Sequence, residues 1–262
     1  MPIKIQDEYL SSKDMLSKSG EDLLKSGMFS DVIVKCGDRV WKLHKIIICP
    51  RCPYFNMAFN GHFKEATTGE ITLQDQVPDD IDQIIRYLYT GEVSQLVRSR
   101  PSDYFKLADF FQIRSLVREI ISIIDLKLDG MATRLEESIR PGTDLEAVFT
   151  CEEIKYLFRA IETSYATDSS SYAPLRDLVK DFIVKSAYRI TQYDRFLKTL
   201  ESIPMLAVDI WKLLQDKSTS IVSNRSGCWK CGHKTNELVG NRHGPVLICR
   251  LQALCKGCKN SY

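Results

Sequence analysis

The sequence predicts an α+β fold, in which a short β-sheet flanked by helices is followed by an α-helical region and a small metal-stapled tail. Two β-prone runs, at residues 31–36 and 40–43, are separated by Gly37-Asp38, and such runs joined by turn residues indicate a β-hairpin. Apolar residues at helical spacing recur through the rest of the chain. Two Cys-x-x-Cys pairs near the C-terminus have a spacing typical of zinc ligands.

The composition is that of an ordinary globular protein, with 44% hydrophobic and 27% charged residues among 262. The N-terminus has no apolar core of signal-peptide length, and no apolar run approaches the roughly 20 residues that span a bilayer. We therefore expect an intracellular protein of the nucleus or cytoplasm, with no membrane partner. In a reducing compartment its nine cysteines would serve as thiols or metal ligands and not as disulfides.

Charge is distributed unevenly along the chain. Residues 217–262 carry a net charge of +7, which leaves −5 for residues 1–216. A basic segment after an acidic body favours an acidic partner such as nucleic acid. A solvated basic tail that selects no partner is the simpler alternative.

The helices of the first half each have a local signal. Residues 1–28 predict an N-terminal helical segment that stops near Gly27. A longer helix is predicted after Pro78, which suits a first helical turn, and before Gly91, which suits a helix end. Four residues of this helix share one face by their spacing, namely Ile81, Ile84, Ile85 and Leu88.

The second half predicts helices between two linkers. The polar stretch at residues 129–144 contains two glycines and a proline and predicts the first linker. Helices resume at Thr150, which forms a capping box with Glu153, and apolar stripes extend the helical region over residues 145–215. A Ser-rich stretch at residues 216–227 predicts the second linker.

Five motifs occur in order within residues 29–128. They are FSDVIV (29–34), WKLHK (41–45), PYF (53–55), GHFKEA (61–66) and YLYTGEV (87–93). In this combination the segment resembles a BTB/POZ domain of the fungal type. The resemblance implies a domain that forms homodimers and binds other proteins.

The resemblance also implies roles for individual residues. Asp31 and Lys45 match positions that place opposite charges in a pocket near the dimer interface, although separate local hydrogen bonds would fit them equally. Phe63 and Glu65 match the hydrophobic-x-acid pattern through which cullin-binding BTB proteins grip the ubiquitin-ligase scaffold. The implied partner surface comprises Tyr54, Met57, Phe59, Phe63 and Glu65. A core-facing Phe63 with a solvated Glu65 is the alternative, and the helical pair that follows the BTB core in cullin adaptors is not recognisable after Leu128.

The C-terminal cysteines predict a structural zinc site in a ribbon-like module at residues 226–262. Two thiolates separated by two residues can coordinate one metal ion, and a second such pair completes a tetrahedral site. Because the tail has little apolar content, zinc would supply its folding energy. Four thiolates leave no open position for water, so a catalytic zinc is not expected. The predicted ligands are Cys228, Cys231, Cys255 and Cys258, with Cys249 or His233 as possible replacements for one of them.

No residue set in the chain predicts an enzyme. Cys49 and Cys52 have the spacing of a redox pair but lie in a predicted short helix without a βαβ unit, which favours packed cysteines. Cys36 and Cys151 are predicted core residues, and His44 a core histidine with satisfied hydrogen bonds. We expect a scaffold or adaptor that homodimerises and binds an unidentified client protein, in a specific version as the substrate adaptor of a cullin-RING ubiquitin ligase. The alternative is a BTB-type transcription or chromatin regulator whose basic zinc module contacts nucleic acid.

Overall fold

The computed structural model describes residues 12–138, 144–216, 238–240 and 253–255. The chain divides into two compact units, Met1–Ile120 and Ile121–Tyr262. The boundary between them falls within one long helix. None of the helices in the described part combines the length and apolarity needed to cross a bilayer.

A three-stranded sheet lies in the first unit. Its strands are β1 (Val32–Cys36), β2 (Arg39–Leu43) and β3 (Glu70–Leu73), in the order β2-β1-β3. β1 pairs antiparallel with β2 and parallel with β3. Gly37 in the turn has a φ of +55°, a conformation that glycine adopts without a steric penalty, and the predicted hairpin is confirmed.

Seven helices surround this sheet in the described part of the first unit, and an eighth begins there. α1 packs against α5 so closely that a Cβ at Gly20 would lie 2.2 Å from the carbonyl oxygen of Tyr89. The four apolar residues predicted to share one face of α5 are all buried. The helices are α1 (Ser12–Ser26), α2 (Lys45–Arg51), α3 (Pro53–Asn60), α4 (Lys64–Thr68), α5 (Pro78–Thr90), α6 (Gln95–Ser99), α7 (Pro101–Phe110) and α8 (Arg114–Glu137).

The length of α8 corrects the predicted first linker. The helix runs through Asp129 and Gly130 to Glu137, although both residues suggested a loop. Its last three turns bury a stripe at helical spacing, which outweighs the weak helix propensity of one glycine. The stripe consists of Leu128, Met131, Ala132 and Leu135.

The second unit is mostly helical where the structure describes it. Thr150 and Glu153 form the predicted capping box at the start of α10. Cys151, however, is exposed, so its predicted core position is wrong, because the first residue of this helix lies on the solvent side of the cap. The remaining helices are α9 (Leu145–Val148), α10 (Cys151–Ser164), α11 (Ala173–Lys185), α12 (Asp194–Ser202) and α13 (Pro204–Asp216). Two short strands, β4 (Leu238–Gly240) and β5 (Ala253–Cys255), pair antiparallel.

Candidate protein-binding surface

An aromatic cluster lies at the surface of the first unit, where α3 meets the end of α7. The half-buried ring of Tyr54 lies 5.1 Å from that of Phe110 and 5.2 Å from that of Phe111, measured between ring centroids. Phe111 is buried and Phe110 is exposed. Tyr54 therefore rests on the core with one edge and contributes to the surface with the other.

Phe63 and Met57 extend the exposed apolar area of the same unit. The Phe63 side chain is 63% exposed and Met57 is also exposed, so the core-facing alternative for Phe63 is wrong. Gly61 lets the chain turn tightly between them, because a Cβ there would lie 2.3 Å from the Met57 carbonyl oxygen and 3.3 Å from the Phe63 ring. The absence of a side chain at Gly61 thus permits the close approach of the Met57 carbonyl group and the Phe63 ring.

Glu65 supplies a negative charge next to this apolar area. It lies in the first turn of α4, two residues after Phe63 at the helix N-cap. Burial and then the negative charge of Glu65 raise the pKa of the Tyr54 phenol, so the carboxylate acts on the tyrosine electrostatically. The predicted residues Tyr54, Met57, Phe63 and Glu65, together with Phe110, are called the aromatic surface below.

Phe59 does not contribute directly to the aromatic surface. Its side chain is only 2% exposed and stacks on buried Phe55 with 6.1 Å between ring centroids. It supports α3 from beneath and cannot contact a partner without rearrangement. Phe110 is the surface residue that sequence reasoning missed. The signal was the adjacent pair Phe110-Phe111, because neighbouring helical residues cannot both face one core.

The Asp31 side chain binds the backbone of Lys45 and not its ammonium group. An Asp31 Oδ1 accepts the backbone N–H of Lys45 at 2.8 Å, and this contact stabilises the start of α2, where carboxylates are favoured. The Lys45 ammonium lies 5.9 Å from the centroid of the Phe59 ring. This arrangement matches the alternative of local hydrogen bonds within one chain, and the predicted role at a dimer interface stays a prediction.

The Cys49 and Cys52 thiols are placed for packing. Both side chains are buried, and the Cys52 thiol donates to the carbonyl oxygen of Phe111 at 3.3 Å. Burial raises the pKa of Cys52 to about 12 and raises the pKa of Cys49. A thiol that resists ionisation is a poor nucleophile, which argues against redox chemistry at this pair. Cys36 is buried in β1, as predicted.

His44 is fully engaged in hydrogen bonds, as predicted. Its Nε2 lies 2.6 Å from the carbonyl oxygen of Met28, and its Nδ1 lies 2.7 Å from the Tyr89 hydroxyl. Because a carbonyl only accepts, Nε2 donates to Met28 and Nδ1 accepts from Tyr89. The Tyr89 oxygen also accepts the His44 backbone N–H at 3.0 Å. Neither ring nitrogen is left for a substrate.

The predicted metal site lies largely outside the described residues. Cys228, Cys231 and Cys258 are not among them, nor are His233, Cys249 and most of the basic segment predicted to contact nucleic acid. Cys255 is the last residue of β5. Within the described part of the chain, no group of three or more His, Cys, Asp or Glu residues could hold a metal ion.

Comparison with known proteins identifies the domain to which the aromatic surface belongs. Residues 21–128 match the family profile described as BTB/POZ domain. Kelch-like protein 40 of Mus musculus is 30% identical over 123 residues, which cover 47% of this chain and 19% of that protein. Kelch-like protein 41b of Danio rerio is 32% identical over 130 residues, covering 48% of this chain and 21% of that protein.

One similarity extends further along the chain. Kelch-like protein 40b of Danio rerio is 26% identical over 184 residues, covering 67% of this chain and 29% of that protein. The alignment therefore continues beyond the segment that matches the BTB/POZ profile. The chain spans between 19% and 29% of the length of these three relatives.

Among solved structures, the BTB domain of zebrafish PATZ1 matches with 22% sequence identity and a TM-score of 0.36. The match covers 45% of this chain and 97% of that one. The relatives named here are vertebrate proteins, so the fungal type stays a prediction.

Proposed function

Because residues 21–128 form a BTB/POZ domain, we propose that this chain is a non-enzymatic adaptor that binds a cullin scaffold through its aromatic surface. The observation that carries the proposal is the exposed Phe63 ring next to the Glu65 carboxylate on α4. The sequence Phe63-Lys64-Glu65 resembles the hydrophobic-x-acid pattern of cullin-binding BTB proteins.

The aromatic surface has the composition of an interface centre. Binding energy at protein interfaces concentrates in a few large side chains that become fully desolvated, and charged residues at the rim add orientation. Phe63, Met57 and Phe110 would supply buried area, and Tyr54 would add a hydroxyl. Glu65 would favour a partner with a basic residue beside an apolar pocket.

Self-association is the second part of the proposal. Large apolar side chains are exposed on α1, in the loop that follows it and on α2 of the first unit. Exposed apolar side chains in such number are typical of interaction sites, and an isologous dimer would cover both copies at once. The residues are Met15, Leu16, Met28, Phe29 and Ile46.

A structural zinc in the C-terminal module is the third part. The fit rests on the donor set and on the pairing of β4 with β5, because the start of β4 lies opposite Cys255 at the end of β5, which suits a ribbon with one Cys-x-x-Cys pair before β4 and the other beginning at Cys255. Four cysteine thiolates would hold the ion, and zinc would supply folding energy to a tail with little apolar content. The helical unit and this module would then present a client to the scaffold.

A binding measurement against a panel of purified cullins tests the adaptor function. The full chain is expected to bind one of them, and the double variant Phe63→Ala/Glu65→Ala is expected to lose at least about tenfold in affinity, as for an interface hot spot. The matched control is Val77→Ala/Glu92→Ala, which also removes one apolar residue and one acid, at two exposed positions that do not belong to the aromatic surface.

Two results would contradict the proposal. Either no cullin binds the full chain, or the Phe63/Glu65 variant binds as tightly as the control. Circular dichroism of both variants establishes that the fold is intact, and no loss of fold is expected because all four side chains lie at the surface.

A further inference from the structure

A cavity of about 540 Å³ lies within the first unit, between α1, α2 and the C-terminal end of α5. Its volume is in the range of sites that hold small organic molecules. Gly20 and Tyr89 line it at the point where α1 packs most closely on α5. The cavity is therefore formed by helices that are held together independently of any ligand.

The walls of this cavity carry apolar side chains from three helices. Leu16 and Leu23 line it from α1, Ile47 from α2 and Leu88 from α5. Leu16 is 73% exposed, and Leu23 and Ile47 are half-buried. Apolar area is thus left open to solvent in a concave place, where a ligand with an apolar body would remove it from water.

The hydroxyl groups that line the cavity already form hydrogen bonds within the protein. Ser19 donates to the Met15 carbonyl oxygen at 2.8 Å, Thr90 to the Arg86 carbonyl oxygen at 2.9 Å and Tyr87 to the Glu119 carboxylate at 3.1 Å. Ser115 forms a hydrogen bond with the Tyr87 side chain. A sugar or a nucleotide, which needs many polar partners, is therefore poorly matched to this site.

Arg51 supplies a positive charge to the same cavity. Its Nη1 donates to the carbonyl oxygen of Leu88 at 2.5 Å, and the guanidinium group has further N–H donors. Among the residues that the structure describes, no ion pair includes Arg51. A guanidinium group suits a carboxylate in particular, because its fork of donors matches the two carboxylate oxygens.

We propose that this cavity binds a small organic acid, with its carboxylate on the Arg51 guanidinium group and its aliphatic body against Leu23 and Ile47. The inference concerns the first unit alone and does not rest on the proposed binding of a cullin or of zinc. Leu16 also belongs to the proposed self-association surface, but Arg51, Leu23 and Ile47 do not. The two proposals can therefore fail separately.

A methyl NMR titration of the full chain with octanoate tests the site. Saturable shifts are expected for the methyl groups of Leu23 and Ile47. The methyl groups of Leu126, a 79% exposed apolar residue of α8 in the second unit, should not shift. Octanamide has the same chain without the charge, and we expect it to bind the wild-type protein at least about tenfold more weakly, because a charge-assisted hydrogen bond is lost.

Two arginine variants locate the charge that binds octanoate. Arg51→Met should raise the dissociation constant at least about tenfold. Arg98→Met is the matched control, because Arg98 is also exposed and also donates to a backbone carbonyl group, that of Val93, but does not line the cavity. This control should leave the affinity unchanged.

Four results would overturn the proposal. They are the absence of saturable shifts at Leu23 and Ile47, equal binding of octanamide and octanoate, unchanged affinity in Arg51→Met, and an equal loss of affinity in both arginine variants. The octanamide comparison uses the wild-type protein, so the proposal stays testable even if Arg51→Met does not fold.

Discussion

Nη2 of Arg134 lies 2.5 Å from Oε1 of Glu153, so one ion pair joins α8 to the start of α10. The second oxygen of the same carboxylate accepts the backbone N–H of Thr150 at 2.9 Å. Hydrogen bonds from Arg134 and then from the Thr150 backbone lower the pKa of Glu153 to about 2. A single side chain thus serves both a tertiary contact and a helix cap.

Glu153→Gln should reduce the acid sensitivity of the second unit. Because the folded state lowers the pKa of Glu153 from its ordinary value of 4.5 to about 2, the ionised carboxylate stabilises the fold above pH 4.5. This contribution is lost as the pH falls towards 2. Glutamine can keep the cap but not the ion pair, so we expect a loss of about 1 kcal/mol at pH 7, limited by the solvent exposure of Arg134.

Urea denaturation of both proteins at pH 7, 4 and 3 measures this effect. The stability difference between wild type and variant should shrink as the pH falls. A difference that stays constant across these pH values would mean that the Arg134–Glu153 pair contributes no pH-dependent stability.

Two glycine-to-alanine substitutions should have opposite effects. At Gly20 a new Cβ would meet the Tyr89 carbonyl oxygen at 2.2 Å, so α1 must move away from α5, at a cost of about 1–3 kcal/mol. At Gly130 nothing lies within 4 Å of the new Cβ, and the gain in helix propensity should stabilise the chain by about 0.5–1 kcal/mol. Thermal and urea unfolding followed by circular dichroism compare the two. A Gly20→Ala variant as stable as Gly130→Ala would exclude the close packing of α1 on α5.

The elements predicted correctly from the sequence are those in which local chemistry and burial agree. The Gly37-Asp38 turn, the Pro78 start and Gly91 end of α5, and the Thr150 cap each depend on residues within a few positions of one another. The tertiary fold is consistent with the structure that local interactions favour in each of these segments.

Predictions failed where distant contacts decide the outcome. Asp129-Gly130 suggested a loop, but the buried stripe that follows continues α8. Phe59 shares α3 with exposed Met57, and its burial on Phe55 depends on the rotation of that helix against the core. The exposure of Phe63 was predicted only through the BTB resemblance, with a core-facing ring as the alternative, because the motif specifies residue types and not which rings face solvent.

A charge placed on the exposed apolar residues of α1 and α2 should prevent self-association. Leu16 and Ile46 are among the most exposed apolar side chains of the first unit, so Leu16→Glu/Ile46→Glu should leave the monomer folded but bury two carboxylates in a dimer, which is costly. Sedimentation equilibrium should show a dimer for the wild type and a monomer for the variant. Val40→Glu changes an exposed apolar residue of β2 and should stay dimeric. A monomeric wild type, or a dimeric double variant, would contradict the proposed interface.

The amount of bound zinc should depend on the four C-terminal cysteines and on no other cysteine of the chain. The purified full chain is expected to carry about one zinc ion, and Cys228→Ser/Cys231→Ser should lose it, because two thiolates cannot complete a tetrahedral site. Cys151→Ser removes an exposed thiol of α10 and should retain the metal, which makes it the matched control. Elemental analysis after gel filtration gives the stoichiometry. If the double serine variant kept its zinc, or the wild type held none, these cysteines would not form the site. In the first case His233 and Cys249 would be the next residues to substitute.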